Sequence, residues 1–144
     1  MVSAKTRKLA ITEEEQLTDF IKEIFRLRNE EEFAKKIAEK IVEMVRKGYK
    51  VYVTNRAAKF LEPILEKYGI ILVPAREIEY PHILIDTPSE NTLFIRFKDL
   101  ELRKIEREIS LEIFIEHLEK ALKKYFEGKS MSKKKYIIEI ASNN

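Results

Sequence analysis

The sequence has no cysteine and no tryptophan, and its 144 residues include only 3 glycines, 4 prolines and 2 histidines. Without cysteine there is no disulfide framework, no thiol nucleophile and no Cys-ligated zinc or iron–sulfur site. The two histidines, His82 and His117, are too far apart for an HExxH zinc motif. No serine sits in a G-x-S-x-G elbow. Gly48, Gly69 and Gly128 each fall where a helical pattern ends, so neither a P-loop nor a dinucleotide fingerprint exists. No apolar run approaches the ~20 residues that span a bilayer. The basic start, Met1 to Lys8, lacks the apolar stretch of a signal peptide, and no lipidation motif is recognised. These absences lead to the expectation of a cytoplasmic protein without a membrane role, a metal site or a cofactor.

What is present is charge and aliphatic bulk. Charged residues make up 37% of the chain and hydrophobic residues 44%. That is too apolar for a disordered segment. At this length one α/β domain over residues 1–144 is expected, with a core that needs no crosslink. Abundant Lys and Glu with no cysteine match the hyperthermophile signal, so a thermophilic source is expected. The formal charge is +3 and nearly balanced along the chain, with 11 basic against 10 acidic residues in 1–48. This permits nucleic-acid binding without arguing for it.

Periodicity gives the elements. Thr12 and Glu15 have capping-box spacing, and Leu17, Phe20, Ile21, Ile24 and Phe25 follow at helical period, predicting a helix over 13–28. Asn29 and Glu32 repeat the arrangement before a second helix that ends at Gly48. Residues 49–54 read as a strand and Asn55 as the cap of a helix with Pro63 inside, which should kink or split it. Ile70 to Val73 is an apolar run suited to a strand parallel to the first, a βαβ unit. His82 to Asp86 and Thr92 to Phe97 flank a turn and predict a hairpin. Residues 100–108 look helical, and Ser110 caps a longer helix ending at Gly128. Tyr136 to Ile140 is a final strand. The fold class is therefore α/β, a mixed sheet with flanking helices. Its order is two N-terminal helices, a βαβ unit, a hairpin, one or two helices and a C-terminal strand.

Few residues suggest chemistry. The Thr54-Asn55-Arg56 turn offers helix N–H groups to an anion beside Arg56, or Asn55 is simply a cap. Asp86 ends a strand at a hairpin, either as a turn former or as a functional acid. Arg103, Lys104 and Arg107 form one cationic patch on a helix turn. Lys129, Lys133, Lys134 and Lys135, with Tyr136 adjacent, form another that suits phosphates and a stacked base, or merely keeps a loop soluble.

The segment Pro81-His82-Ile83-Leu84-Ile85, a turn, then Phe94-Ile95-Arg96-Phe97-Lys98 resembles the central hairpin of the PD-(D/E)xK nuclease superfamily. The order of elements over about 56–127 fits the same layout. The resemblance implies a divalent metal held by acids on the hairpin, with a lysine positioning the attacking water. Here Pro81 and Lys98 match, but His82 stands where the first acid belongs and Arg96 where the second does. The resemblance thus implies a displaced or degenerate site around His82, Asp86, Arg96 and Lys98, with Glu90 as a further acid. With no assembled nucleophile, metal cluster or phosphate loop, the expected function is a non-catalytic binding module for nucleic acid or for a protein assembly. The two amphipathic N-terminal helices supply a surface for a homodimer or a purely structural partner. A metal-dependent nuclease is the rival.

Overall fold

Three glutamates, Glu30, Glu31 and Glu32, open the longest helix, where they complement the dipole, and Arg46 and Lys47 close it. The Asn29 side chain accepts from Glu32 N at 2.8 Å, and Gly48 takes the left-handed cap with φ of 85°. A computed structural model describes residues 15–48, 51–126 and 136–141. In it α1 covers 15–24 and α2 Glu30–Lys47. Then follow β1 (Val51–Val53), α3 (Asn55–Glu66), β2 (Ile70–Pro74), β3 (His82–Asp86) and β4 (Thr92–Lys98). The chain continues through β5 (Lys104–Ser110), α4 (Leu111–Phe126) and β6 (Tyr136–Ile140). Thr12, Gly128, Lys129, Lys133, Lys134 and Lys135 lie outside the described residues.

The strands form one mixed sheet in the order β2-β6-β1-β3-β4-β5. β2, β6, β1 and β3 run parallel, and β4 and β5 are antiparallel additions. The mixed α/β architecture with flanking helices is as the sequence predicts. β1 and β2 point the same way as expected for a βαβ unit, but β6 is inserted between them.

The structure departs from the sequence pattern in three places. Residues 104–110 are a strand, not part of a helix. The cap of α3 is Thr54, whose hydroxyl accepts from Ala57 N at 3.2 Å, and Asn55 is already helical. Pro63 does not split α3, which runs unbroken to Glu66. The carbonyl that Pro63 leaves without a donor belongs to exposed Lys59, where water can satisfy it.

Alternation assigns the two sheet faces. Ile70, Val53, Ile83, Ile85, Leu93, Ile95, Phe97, Ile109 and Ile138 are buried on one side. There Val42 and Val45 of α2, Leu61 and Leu65 of α3, and Leu118 and Leu122 of α4 meet Ile70, Ile85 and Ile138 in one seam. All three helices therefore cover the same face. α1 meets α2 where Lys40 lies 4.9 Å from the Phe20 ring centre, and just after α1 Phe25 lies edge-on to Phe33 at 5.2 Å. His117 of α4 ties to Glu31 of α2 at 2.8 Å.

Among the described residues no helix covers the opposite face. The connection from β2 back to β3 crosses it instead: Tyr52 Oη donates to Glu77 O at 3.3 Å and accepts from Glu79 N at 2.9 Å. This strap buries Tyr52 and His82. The described residues leave the outer surface of β3, β4 and β5 open, and that is where the candidate residues stand.

Candidate functional site

The strands β1 and β3 end side by side, joined by Thr54 N donating to Ile85 O at 3.0 Å. From β1 the chain departs through α3 toward β2. From β3 it departs through the turn at 87–91 toward β4. In open α/β sheets such diverging exits at strand C-termini leave a crevice where ligands commonly bind.

Asp86 lies at this point and is only 2% exposed through its side chain. Thr54 Oγ1 donates to its Oδ1 at 2.7 Å. Arg56 Nη2 donates to Oδ1 at 3.2 Å and to Oδ2 at 2.9 Å. Arg96 Nη1 stands 3.6 Å from Oδ2, while its Nε donates to Glu106 at 2.9 Å. The Arg96 guanidinium also lies 5.4 Å from the centre of the Phe94 ring. A buried carboxylate is costly unless paired, and here it is met from three directions. The result fixes two guanidiniums at the upper end of the open face, close to the N-terminus of α3. Unlike α2 and α4, α3 has no acid in its first turn.

The lower end of the open face is a row across three strands. His82 is in register with Lys98, and Lys98 with Lys104. His82 is buried between Tyr52 and Tyr80, and its Nδ1 donates to Glu79 O at 2.9 Å. Burial, with the nearby Lys98 charge added, holds its pKa below the ordinary 6.5 despite the opposing backbone hydrogen bond. It is a neutral packing residue near pH 7. Lys98 has no ion pair among the described residues, and Lys104 has a loose one to Glu106 at 3.7 Å.

Of the residues singled out from the sequence, His82, Asp86, Arg96 and Lys98 do share one face, but as two groups. Arg96 reaches Asp86, and Lys98 lies beside His82. The carboxylate that the nuclease resemblance would give to a metal is held by two arginines and a hydroxyl. Among the described residues no group of three or more His, Asp or Glu side chains is arranged to hold a metal ion.

The patch of Arg103, Lys104 and Arg107 does not sit on a helix turn, because that segment is an extended strand and its turn. Arg103 is folded back on Asp99 at 2.6 Å. Lys104 faces the open side. Arg107 faces the helices, stacks 4.5 Å from the Phe33 ring centre, and donates to the carbonyls of Leu27 and Arg28. Tyr136 packs edge-on to Phe126 at 4.9 Å on the helix side.

Thr54, Arg56 and Glu106 complete the site and were not joined to it from sequence. The one local signal was the Thr-Asn-Arg turn after a strand. Comparison with protein-family models, with curated proteins and with solved structures gives no significant match, so the site stands on its geometry alone.

Proposed function

We propose that this protein is a non-catalytic binding module that takes nucleic acid on the open face of its sheet. One observation carries the reading: Lys98 and Lys104 stand directly opposite each other on adjacent strands of that face. Like charges in this position weaken a sheet, so the pair costs stability and the fold does not need it. A phosphate backbone would neutralise both. Arg96 and Arg56 stand beyond them toward the crevice, held by Asp86 and, for Arg96, by Glu106 as well. Anchored guanidiniums suit phosphate contacts because little of their freedom remains to be lost. The occupied Asp86 carboxylate favours binding over metal-dependent cleavage.

Fluorescence anisotropy with labelled single- and double-stranded DNA and RNA, at two salt concentrations, tests the reading. Binding that weakens with salt, and weakens further in Lys98→Ala with Lys104→Ala, is expected. Absent or salt-insensitive binding rejects it. Incubation with Mg²⁺ or Mn²⁺ in the same assay tests the nuclease alternative, which predicts cleavage lost in Asp86→Ala.

A second reading, assembly with another copy of the chain, has its own support. Ile71 and Ile137 are register partners on the open face, 42% and 47% exposed, at the β2 edge. An exposed isoleucine on an uncharged edge strand, paired with a second on the strand beside it, suits association at that edge. Sedimentation of the wild type and of Ile71→Lys separates the two readings: a dimer lost in the variant supports assembly, and a monomer in both rejects it.

A further inference from the structure

The turn between β4 and β5 holds two leucines out in water. Leu100 is 65% exposed and Leu102 68%. Leu102 has φ of 65°, a left-handed conformation that residues with a branched side chain rarely adopt. It is kept there by Asp99. The Asp99 carboxylate accepts from Glu101 N at 3.1 Å and from Arg103 N at 3.0 Å. It also binds the Arg103 guanidinium, through Nε at 2.8 Å. The backbone closes the turn with Leu102 N donating to Asp99 O at 2.9 Å. Arg103 reaches Glu101 as well, at 3.2 Å, so both acids of the turn are met from within it.

Strain and exposed apolar surface together need an outside reason. The turn stands on the register pair Lys98 and Lys104, whose charges flank its base. An apolar tip between two cations fits a surface with alternating phosphates and apolar base faces. We propose that Leu100 and Leu102 form a wedge that enters a base step of duplex DNA, with Lys98 and Lys104 on the flanking phosphates. This deepens the nucleic-acid reading above and rests on it. Proteins that insert such apolar wedges unstack one step and kink the duplex. The turn is closed by its own hydrogen bonds through Asp99, which lowers the ordering left to be done on binding.

The test uses the full chain and a short duplex carrying a donor and an acceptor dye at its ends. Binding is read by anisotropy and bending by energy transfer. Wild type should bind and shorten the end-to-end distance. Leu102→Gly relieves the left-handed strain, so its Tm should not fall, yet affinity should drop about tenfold and the bend should vanish. Leu100→Ser should lose the bend as well. If Leu102→Gly bends the duplex like wild type, or if only single strands bind, the wedge is overturned while the nucleic-acid reading stands. If no nucleic acid binds, both fall. Leucine-dependent binding to vesicles containing phosphatidylserine, without DNA binding, would place the tip in lipid and overturn the wedge.

Discussion

Thr54 uses one hydroxyl for two purposes. It accepts from Ala57 N at 3.2 Å, capping α3, and donates to Asp86 at 2.7 Å. The start of a helix and a buried carboxylate on the neighbouring strand are thereby joined through a single oxygen. Thr54→Val keeps the shape and removes both bonds. Losing a cap costs about 1 kcal/mol and losing a hydrogen bond to a buried charge about 1.5–3, so a total of about 2.5–4 kcal/mol is expected. Thr54→Ser should stay within about 1 kcal/mol of wild type. Urea unfolding of the three proteins checks this.

The Thr87 hydroxyl is buried beside Asp86 and has no hydrogen-bond partner among the described residues. A buried hydroxyl without a partner is a desolvation cost with no return. Thr87→Val should therefore raise stability by about 1 kcal/mol. A lower urea midpoint in the variant would show that the hydroxyl is satisfied in solution.

His82 predicts the pH response. Its pKa is lowered in the folded protein, chiefly by burial, from an ordinary value of 6.5. The unfolded chain therefore takes up the proton first as pH falls. The stability contributed by the neutral ring is fully present above about 6.5 and is lost as pH falls below it toward the folded pKa. Thermal melts between about pH 8 and 5 should show a slope that His82→Gln flattens. Equal slopes would mean that another group controls the decline.

Lys98→Thr should separate stability from binding. Removing one member of the like-charged pair with Lys104 should stabilise the sheet by a few tenths of a kcal/mol. The same change should lower the slope of log affinity against log salt by about 1. A variant that loses stability and keeps its salt slope would remove the main support for the open face as the binding surface.

Arg107→Ala should do the reverse. Its guanidinium stacks on Phe33 and satisfies the carbonyls of Leu27 and Arg28. A loss of about 2 kcal/mol in stability is expected, with nucleic-acid affinity at low temperature unchanged. This arginine also explains why β5 was hidden in the sequence. Ile105, Arg107 and Ile109 do alternate toward the core, but the middle position carries a charge, and the period-2 signal disappears.

Elements set by local rules were legible. Asn29, the three glutamates after it and Gly48 mark α2 from sequence, and the apolar stripe of α4 and the five residues of β6 are as clear. The open-face residues of β3 and β4 could be placed on one side from alternation alone. What could not be read is long-range. Thr54, Arg56, Asp86, Arg96 and Glu106 come from three strands and a helix end, and no local pattern says that they meet. Nor does any local pattern say that β6 separates β1 from β2, since parallel partners are chosen across most of the chain.

That insertion has a temporal consequence. β1 and β2 touch each other nowhere in the ladder, and both wait for β6: Tyr52 pairs with Glu139 and Leu72 with Ile138. During synthesis the hairpin of β3 and β4 can close early, but β1 keeps one bare edge and β2 has no partner at all until residue 140 has been made. The nascent chain thus carries apolar, unpaired strand edges while residues 75–140 are being made. Its risk of sticking to neighbouring chains is greatest before the last strand arrives and ends when that strand slots into the gap.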